Sequence, residues 1–291
     1  MKIAVLSDIH GNVPALRAVV DDIKAWEPDK VIVNGDIVNR GPCSRTCLDF
    51  VLKRQIEDNW HILSGNHEKY LLFCATPDFI TEGPLFELNR FAYWTYQQLN
   101  GSIAQLANFP EQFSWWAPDG SEFRVRHASM RSNRDGLYAE LSDEAMERRI
   151  APAPAVFVTG HTHQAFMREV NQTLVVNAGS AGAPFDLDWR PSYGRFSWSE
   201  QSGWDAEIRR ISYDRSLIEE DYVRSGFLDE AGPLAQLMLV ELRRARGLIF
   251  RWAEQYEKDV LEGEISMEDS VKNILLEEDI RPFLGPPGWV P

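Results

Sequence analysis

Asp8, His10, Asp36, Asn66, His67, His127, His161 and His163 carry donor atoms from which a metal site could be assembled. They fall in short polar motifs, LSDIHGN, VNGDIVNRG, LSGNHE, VRHAS and VTGHTH. Of the six histidines in the chain only His61 lies outside those motifs. A lone histidine is ordinarily a satisfied structural residue, whereas a group of them interleaved with carboxylates is a ligand set. Oxygen and imidazole donors without thiolate suit Mn, Fe, Co, Ni or Zn, and the carboxylate content fits a two-ion site. Asp8 and His10 stand two residues apart, as do His161 and His163. Side chains alternate along an extended chain, so each pair is predicted to point one way and act as a chelating arm. One aspartate could bridge the two ions.

Each motif follows an apolar run, and the runs define the elements that must position the donors. Residues 3–6, 31–33, 62–63, 123–125, 156–158 and 174–176 read as buried strands. Helical spacing over 13–26 and 44–55, with Pro14 near one start and Ser44 as the cap of the next, gives α/β layering around a twisted sheet. In open α/β sheets the carboxyl ends of neighbouring strands converge on one crevice, where residues as distant as 8 and 163 can meet. Gly11, Gly35, Gly65 and Gly160 beside the motifs permit the turns and close backbone approach of such a rim.

Residues 78–118 are rich in aromatic side chains and are expected to form two short helices beside the crevice. Core packing is the default for these rings, and substrate selectivity is the alternative. Residues 192–213 read as a closing hairpin with Gly203 near its turn. Leu234, Met238, Leu242, Ala245, Ile249, Trp252, Tyr256 and Val260 step by three or four. They predict one apolar stripe on a helix of about 25 residues, roughly 40 Å long. The stripe is expected to pack back on the sheet layers, with a homodimer seam or a partial lid as alternatives. Another helix is predicted from Ser266, with Glu268 and Asp269 in its first turn. The last ten residues, rich in Pro and Gly, are expected to be loosely ordered.

The 291 residues include 30 Lys and Arg against 44 Asp and Glu, a formal charge of −14 with histidine neutral. Affinity for DNA and for anionic membranes comes from clustered cations, so this balance argues against a nucleic acid as a stable partner and against a membrane-surface role. Apolar residues make up 44% and charged residues 25%, near globular averages, which excludes disordered and collagen-like classes. The opening residues reach Asp8 without an apolar signal core or a bilayer-length run, so the cytoplasm is the expected compartment. Cys43, Cys47 and Cys74 match no zinc module and are expected to be reduced, packed thiols.

The ordered motifs Asp8-Ile9-His10, Gly35-Asp36-Ile37-Val38, Gly65-Asn66-His67-Glu68, His127 and Gly160-His161-Thr162-His163 resemble those of the calcineurin-like metallophosphoesterases. The resemblance covers residues 1–215 and is strongest to the compact prokaryotic phosphodiesterase branch, which also carries a segment like Asn177-Ala178-Gly179-Ser180. It implies a four-layer α/β/β/α sandwich over 1–215, with 78–118 as an aromatic helical insert near the site. A C-terminal helical extension, 216–291, lies outside the family's minimal pattern. The resemblance assigns Asp8, His10, Asp36 and His163 to one metal and Asp36, Asn66, His127 and His161 to a second, with Asp36 bridging. His67 would stand beside the metals and donate a proton to the leaving oxygen or steady phosphoryl charge. Arg40 resembles an arginine that relatives place on substrate phosphate, its fork suited to two phosphoryl oxygens. Ala128 and Ala178 stand where this branch commonly has Gly and Pro, and neither removes a ligand.

The activity so implied is hydrolysis of a small phosphoester, a phosphodiester ahead of a phosphomonoester, by in-line attack of a metal-bridging hydroxide. The cofactor would be two divalent ions, manganese first, with Fe, Ni, Co, Zn or Mg as alternatives. The segment Asn39-Arg40-Gly41 is also similar to protein serine/threonine phosphatases and dinucleoside polyphosphate hydrolases. A catalytically silent binding scaffold on the same fold is the remaining alternative, and retention of every expected donor weighs against it.

Overall fold

The computed structural model describes residues 1–99 and 101–285. Asn100 and residues 286–291, the latter within the Pro- and Gly-rich terminus expected to be loosely ordered, lie outside the described residues. In β1 (Lys2–Leu6), Ile3 and Val5 face one way and Ala4 and Leu6 the other, and all four are fully buried. A strand is apolar on both faces when a layer covers each. Ala4 and Leu6 pack with Leu16, Val19 and Ile23 of α1 (Val13–Trp26), against which α2 (Ser44–Asp58) also lies. Ile3 and Val5 instead meet Phe123, Val125, Val156 and Val158 of a second sheet.

The first sheet has the order β10-β9-β1-β2-β3, where β2 is Lys30–Asn34, β3 is His61–Leu63, β9 is Ser192–Ser199 and β10 is Gly203–Arg210. Strands β1, β2 and β3 are parallel, and the antiparallel hairpin β9–β10 closes the other side as predicted, with Gly203 starting β10. The second sheet runs β4-β5-β6-β8-β7, with β4 Gln112–Trp116, β5 Glu122–Arg126, β6 Val156–Thr159, β7 Phe166–Val170 and β8 Thr173–Asn177. Its outer face carries Phe157 and Val175 onto Met146 and Ile150, which belong to the helix Asp143–Ile150. The resulting layers are helix, sheet, sheet, helix, the sandwich implied by the motifs.

Between β3 and β4 lie α3 (Asn66–Cys74), α4 (Gly83–Leu99) and α5 (Ile103–Leu106), which makes the helix Asp143–Ile150 α6. The aromatic segment therefore departs from two short helices. It is one 17-residue helix, a single turn, and a strand. Phe113 and Trp115 alternate on β4, where Phe113 packs on the inter-sheet core and Trp115 meets Trp204 edge-on at 5.7 Å.

After β10 come α7 (Arg215–Arg224), α8 (Phe227–Glu230), α9 (Leu234–Arg244), α10 (Ile249–Trp252), α11 (Lys258–Glu262) and α12 (Met267–Leu275). They build a separate cluster around Phe227, Leu237, Leu248, Trp252 and Ile274, keyed to the sandwich by Trp94 of α4. Ser266 caps α12 through the Asp269 amide at 3.0 Å, as predicted. The single 25-residue helix is not formed. Ala245 takes a left-handed φ of 49°, and Glu241 Oε1 accepts from the amides of Leu248 at 2.6 Å and Ile249 at 2.9 Å. A side chain of α9 thus supplies the acceptor that lets a new helix start, and the stripe continues on α10 with Trp252 and, beyond a π-turn, on α11 with Val260. Ser44 also differs from its expected role. Cys43 is the cap position of α2, and Ser44 Oγ instead accepts from the Asn39 amide at 2.9 Å. No helix among the described residues is long and apolar enough to cross a membrane.

The rim is held at van der Waals limits. Gly35 has φ +79°, and a Cβ there would stand 2.4 Å from the Gly65 amide nitrogen. Gly35→Ala is expected to lower stability by more than ~2 kcal/mol, from left-handed strain and the backbone clash together. Urea denaturation with a loss below ~0.5 kcal/mol would show that the two loops separate easily.

Candidate metal centre

The parallel strands of both sheets end at one rim. Asp8 and His10 follow β1, Asp36 follows β2, Asn66 and His67 open α3, His127 follows β5, and His161 and His163 follow β6. Backbone bonds lace these ends together: Asp8 N to Gly35 O at 3.1 Å, His10 N to Asp36 O at 3.0 Å, and Gly160 N to His127 O at 2.9 Å. The Glu68 carboxylate adds three more contacts, accepting from the amides of Asp36, Ile37 and Gly65 at 2.7–2.8 Å. Burial and the neighbouring Asp36 push the Glu68 carboxyl up to about 7.

Strand alternation is not what aims the chelating pairs. Asp8 and His10 lie beyond β1 with φ of 57° and 48°, and His161 and His163 lie beyond β6 with 65° and 57°. Asp36, Asn39 and Arg40 are left-handed as well, at 52°, 70° and 63°. Such conformations cost a non-glycine residue of order 1–3 kcal/mol and persist where surrounding contacts hold them.

Three donor groups result, each with ligand atoms within 4.8 Å of one another: Asp8, His10 and His163; His10, Asp36 and His67; Asp36, His127 and His161. Asp36 Oδ1 accepts from the His67 amide at 2.8 Å, which leaves Oδ2 facing the centre. Around Oδ2 stand His127 Nε2 at 3.2 Å and His10 Nε2 at 3.7 Å.

Hydrogen bonds behind the rings fix where their lone pairs point. His10 Nδ1 faces the carbonyls of Val38 and Asn39 at 3.3 and 3.2 Å, and His163 Nδ1 faces that of Ala183 at 2.6 Å. A carbonyl only accepts, so each Nδ1 carries hydrogen, which leaves Nε2 as the ring's lone-pair atom whenever the ring is neutral. These two Nε2 atoms lie 3.1 Å apart. His127 Nδ1 likewise donates to Asn34 O at 2.9 Å, and its Nε2 is 3.0 Å from Asn66 Oδ1. Asp8 Oδ1, 3.2 Å from His163 Nε2, is buried without a hydrogen-bond partner among the described residues. Acceptors packed against acceptors are unfavourable unless a cation lies between them. Donors about 2 Å from one cation stand roughly 3.0–3.4 Å apart at ordinary coordination angles. The donor set therefore fits divalent metal.

The titration behaviour agrees. Burial and the nearby His163 hold His10 down at about 3, and burial and His127 hold His161 at about 4, so both rings are neutral. Burial would raise Asp8 and Asp36, but the surrounding histidines bring Asp8 to about 2 and Asp36 well below the carboxylate range. Burial works against charge on His127 too, yet the Asp36 carboxylate lifts it to about 10. A proton there satisfies Asp36 Oδ2 and Asn66 Oδ1 in the way a cation would.

All eight residues singled out in the motifs meet at the rim. Arg40 lies beside it, its guanidinium 5.6 Å over the Phe185 ring and paired with Glu241. Motif reading missed Asn39, Phe185 and Glu241. Asn39 Nδ2 is 2.9 Å from His67 Nδ1, and Phe185 stacks on His163 with centroids 4.4 Å apart.

Residues 1–165 match the family model described as calcineurin-like phosphoesterase. An uncharacterised protein of Methanocaldococcus jannaschii is 26% identical over 245 residues, covering 77% of this chain and 92% of that protein. A symmetrical bis(5'-nucleosyl)-tetraphosphatase of Nitrosospira multiformis is 36% identical over 76 residues, 26% of this chain and 27% of that enzyme. A solved metallophosphoesterase of Sphaerobacter thermophilus shares the fold, with a TM-score of 0.64 at 22% identity over 84% of this chain and 99% of its own.

A cation must displace the His127 proton, so metal affinity is expected to rise with pH until that group's value near 10 is reached. Below it, affinity weakens by up to about tenfold per pH unit, with proton release on binding. Calorimetry in two buffers of different ionisation enthalpy measures the release. Affinity unchanged between pH 6 and 9, with no proton released, would contradict the arrangement.

Proposed function

The chain belongs to the calcineurin-like phosphoesterase family of metal-dependent phosphoric ester hydrolases, and from that premise we propose that it hydrolyses phosphodiester bonds of a small substrate at a dinuclear centre. The observation that carries this reading is the convergence of buried acceptors on Asp36 Oδ2 beside an imidazole able to donate. Asp8, His10, Asp36 and His163 would hold one divalent ion, and Asp36, Asn66, His127 and His161 the other, manganese being the first choice for these donors. The ions supply Lewis-acid stabilisation of phosphoryl charge and make water acidic enough to attack near neutral pH.

The chain's own residues do the rest. The Arg40 amide donates to Asn39 Oδ1 at 2.9 Å, which turns Asn39 Nδ2 toward His67 Nδ1. An amide NH₂ only donates, so His67 Nδ1 accepts and the ring hydrogen sits on Nε2, 4.0 Å from Asp36 Oδ2. Releasing that hydrogen would leave an imidazolate. His67 therefore serves as a fixed hydrogen-bond donor to the leaving oxygen as the P–O bond breaks, in preference to transferring a proton outright. The Arg40 fork binds a non-bridging phosphoryl oxygen.

A second reading, hydrolysis of a dinucleoside polyphosphate, is favoured by the local match to the tetraphosphatase. It uses the same centre and differs in the leaving group.

Metal-stripped protein reloaded with manganese is expected to release p-nitrophenol from bis-p-nitrophenyl phosphate faster than from p-nitrophenyl phosphate, and Asp36→Asn is expected to release none. No release with any divalent metal, while ions bind tightly, would overturn the assignment. His67→Ala should retain its metals and lose roughly 10²-fold in kcat. His67→Gln, which restores a neutral donor, should recover part of that loss, and equal rates for the two variants would remove His67 from the reaction.

A further inference from the structure

Arg40 is gripped from the C-terminal helices. Its Nη2 donates to Glu241 Oε2, and its carbonyl accepts from Tyr222 Oη at 2.9 Å. Glu241 is 3% exposed, and its other oxygen is fixed by the Leu248 and Ile249 amides. Those two bonds hold the carboxylate at one place. Between it and the metal rim lies a narrow cleft lined by His10, Arg40, Phe185, Tyr222, Met238 and Glu241. Among the described residues the remaining donors of the Arg40 guanidinium have no hydrogen-bond partner, and the cleft beside them is no roomier than a single water, about 10 Å³.

The pairing changes what Arg40 can do. A free guanidinium attracts phosphate by its full charge, and more strongly for a dianion than for a monoanion. With a buried, immobile carboxylate against it, the pair is close to neutral, and Arg40 keeps its hydrogen-bond geometry while losing most of its field. A second negative charge on the substrate then gains little from Arg40 and is repelled by Glu241. A phosphodiester carries one charge, and a phosphomonoester carries two above pH ~7.

We propose that Glu241, delivered to the phosphate site by α9, is a specificity-determining positioning residue that selects singly charged phosphodiesters over doubly charged phosphomonoesters. The assignment rests on the phosphoesterase reading for its substrate class. The residue acts through Arg40 and touches neither metal nor phosphorus.

The test is Glu241→Gln in the metal-loaded, full-length protein. Glutamine keeps its single oxygen as the acceptor for the Leu248 and Ile249 amides, removes the charge, and turns an NH₂ toward Arg40 Nη2, so the guanidinium is released from its partner. KM for p-nitrophenyl phosphate is expected to fall about tenfold, with KM for bis-p-nitrophenyl phosphate changing less than twofold and kcat little altered. Equal changes for both esters, or a loss of kcat alone, would overturn the proposal. Inorganic phosphate binding, followed by calorimetry, should tighten about tenfold in the variant, and unchanged or weaker binding counts against it. This second readout stands if neither ester is hydrolysed, an outcome that would sink the activity reading and leave Glu241 to be judged by binding. Should Glu241→Gln fail to fold, the unaltered protein decides. Phenyl phosphate, with two charges, is expected to bind no tighter than methyl phenyl phosphate with one, and markedly tighter binding of the dianion would refute the assignment.

Discussion

Buried acceptors that converge where only a proton or a cation can lie between them are the constraint on which this structure turns. His10 Nε2 stands against His163 Nε2 at 3.1 Å, repulsive when both rings are neutral, and Asp36 Oδ2 and Asn66 Oδ1 converge on His127 Nε2, where either a proton or a cation must lie between them. Folding tolerates them because the loops are held by bonds that do not depend on the centre itself. Glu68 ties the β2 loop to the start of α3, the β1 loop is bonded to the β2 loop through its backbone, and Gly35 and Gly65 let the two chains approach. The left-handed backbone at Asp8, His10, Asp36, His161 and His163 is the strain that remains. An acidic chain of net charge −14 could still attract an anion here, because divalent ions held by these donors would invert the local field wherever the distant charges point.

Around that centre the helices after β10 make a second set of demands. The cluster around Trp252 and Leu237 is a core of its own, but it meets the sandwich through polar contacts as well as packing. Tyr222 bonds the Arg40 carbonyl, Asn12 Nδ2 reaches Tyr213 Oη at 3.1 Å, and Glu241 grips the Arg40 fork. The carboxylate that caps the helix beginning at Ile249 is the same one that pairs with Arg40. Local structure and the surroundings of Arg40 are therefore coupled in a single side chain, and a change that loosens the break after α9 should be felt at Arg40.

Much of this was legible in the sequence because the donors are discrete residue types at the ends of apolar runs. The six strands built on apolar runs, the start of α1 at Val13, the β9–β10 hairpin and the Ser266 cap follow from periodicity and turn chemistry, whereas β7, with exposed Met167 and Glu169, has no such run. Other features resist such reading for identifiable reasons. The alternation argument brought Asp8 and His10 together for the wrong cause, since dihedral angles beyond a strand end are set by loop lacing that no spacing records. The strand at β4 was hidden because Phe113, Trp115 and Trp116 suit a helix core as well as a sheet face. The long helix failed at Ala245 because its competitor was a tertiary bond, Glu241 to the amides of Leu248 and Ile249. One signal did exist. Glu241 lies three residues after Met238 and seven after Leu234, so it falls on the apolar stripe, and a carboxylate in that position must find buried donors.

Two cations sharing Asp36 would separate the facing acceptors. The most direct measurement is anomalous diffraction from crystals of the manganese-loaded protein, collected above and below the metal edge. Two peaks are expected, one among Asp8, His10 and His163 and one among Asn66, His127 and His161, both in contact with Asp36 Oδ2. No peak, or a single ion bound elsewhere with the His10 and His163 rings unmoved, would contradict the account.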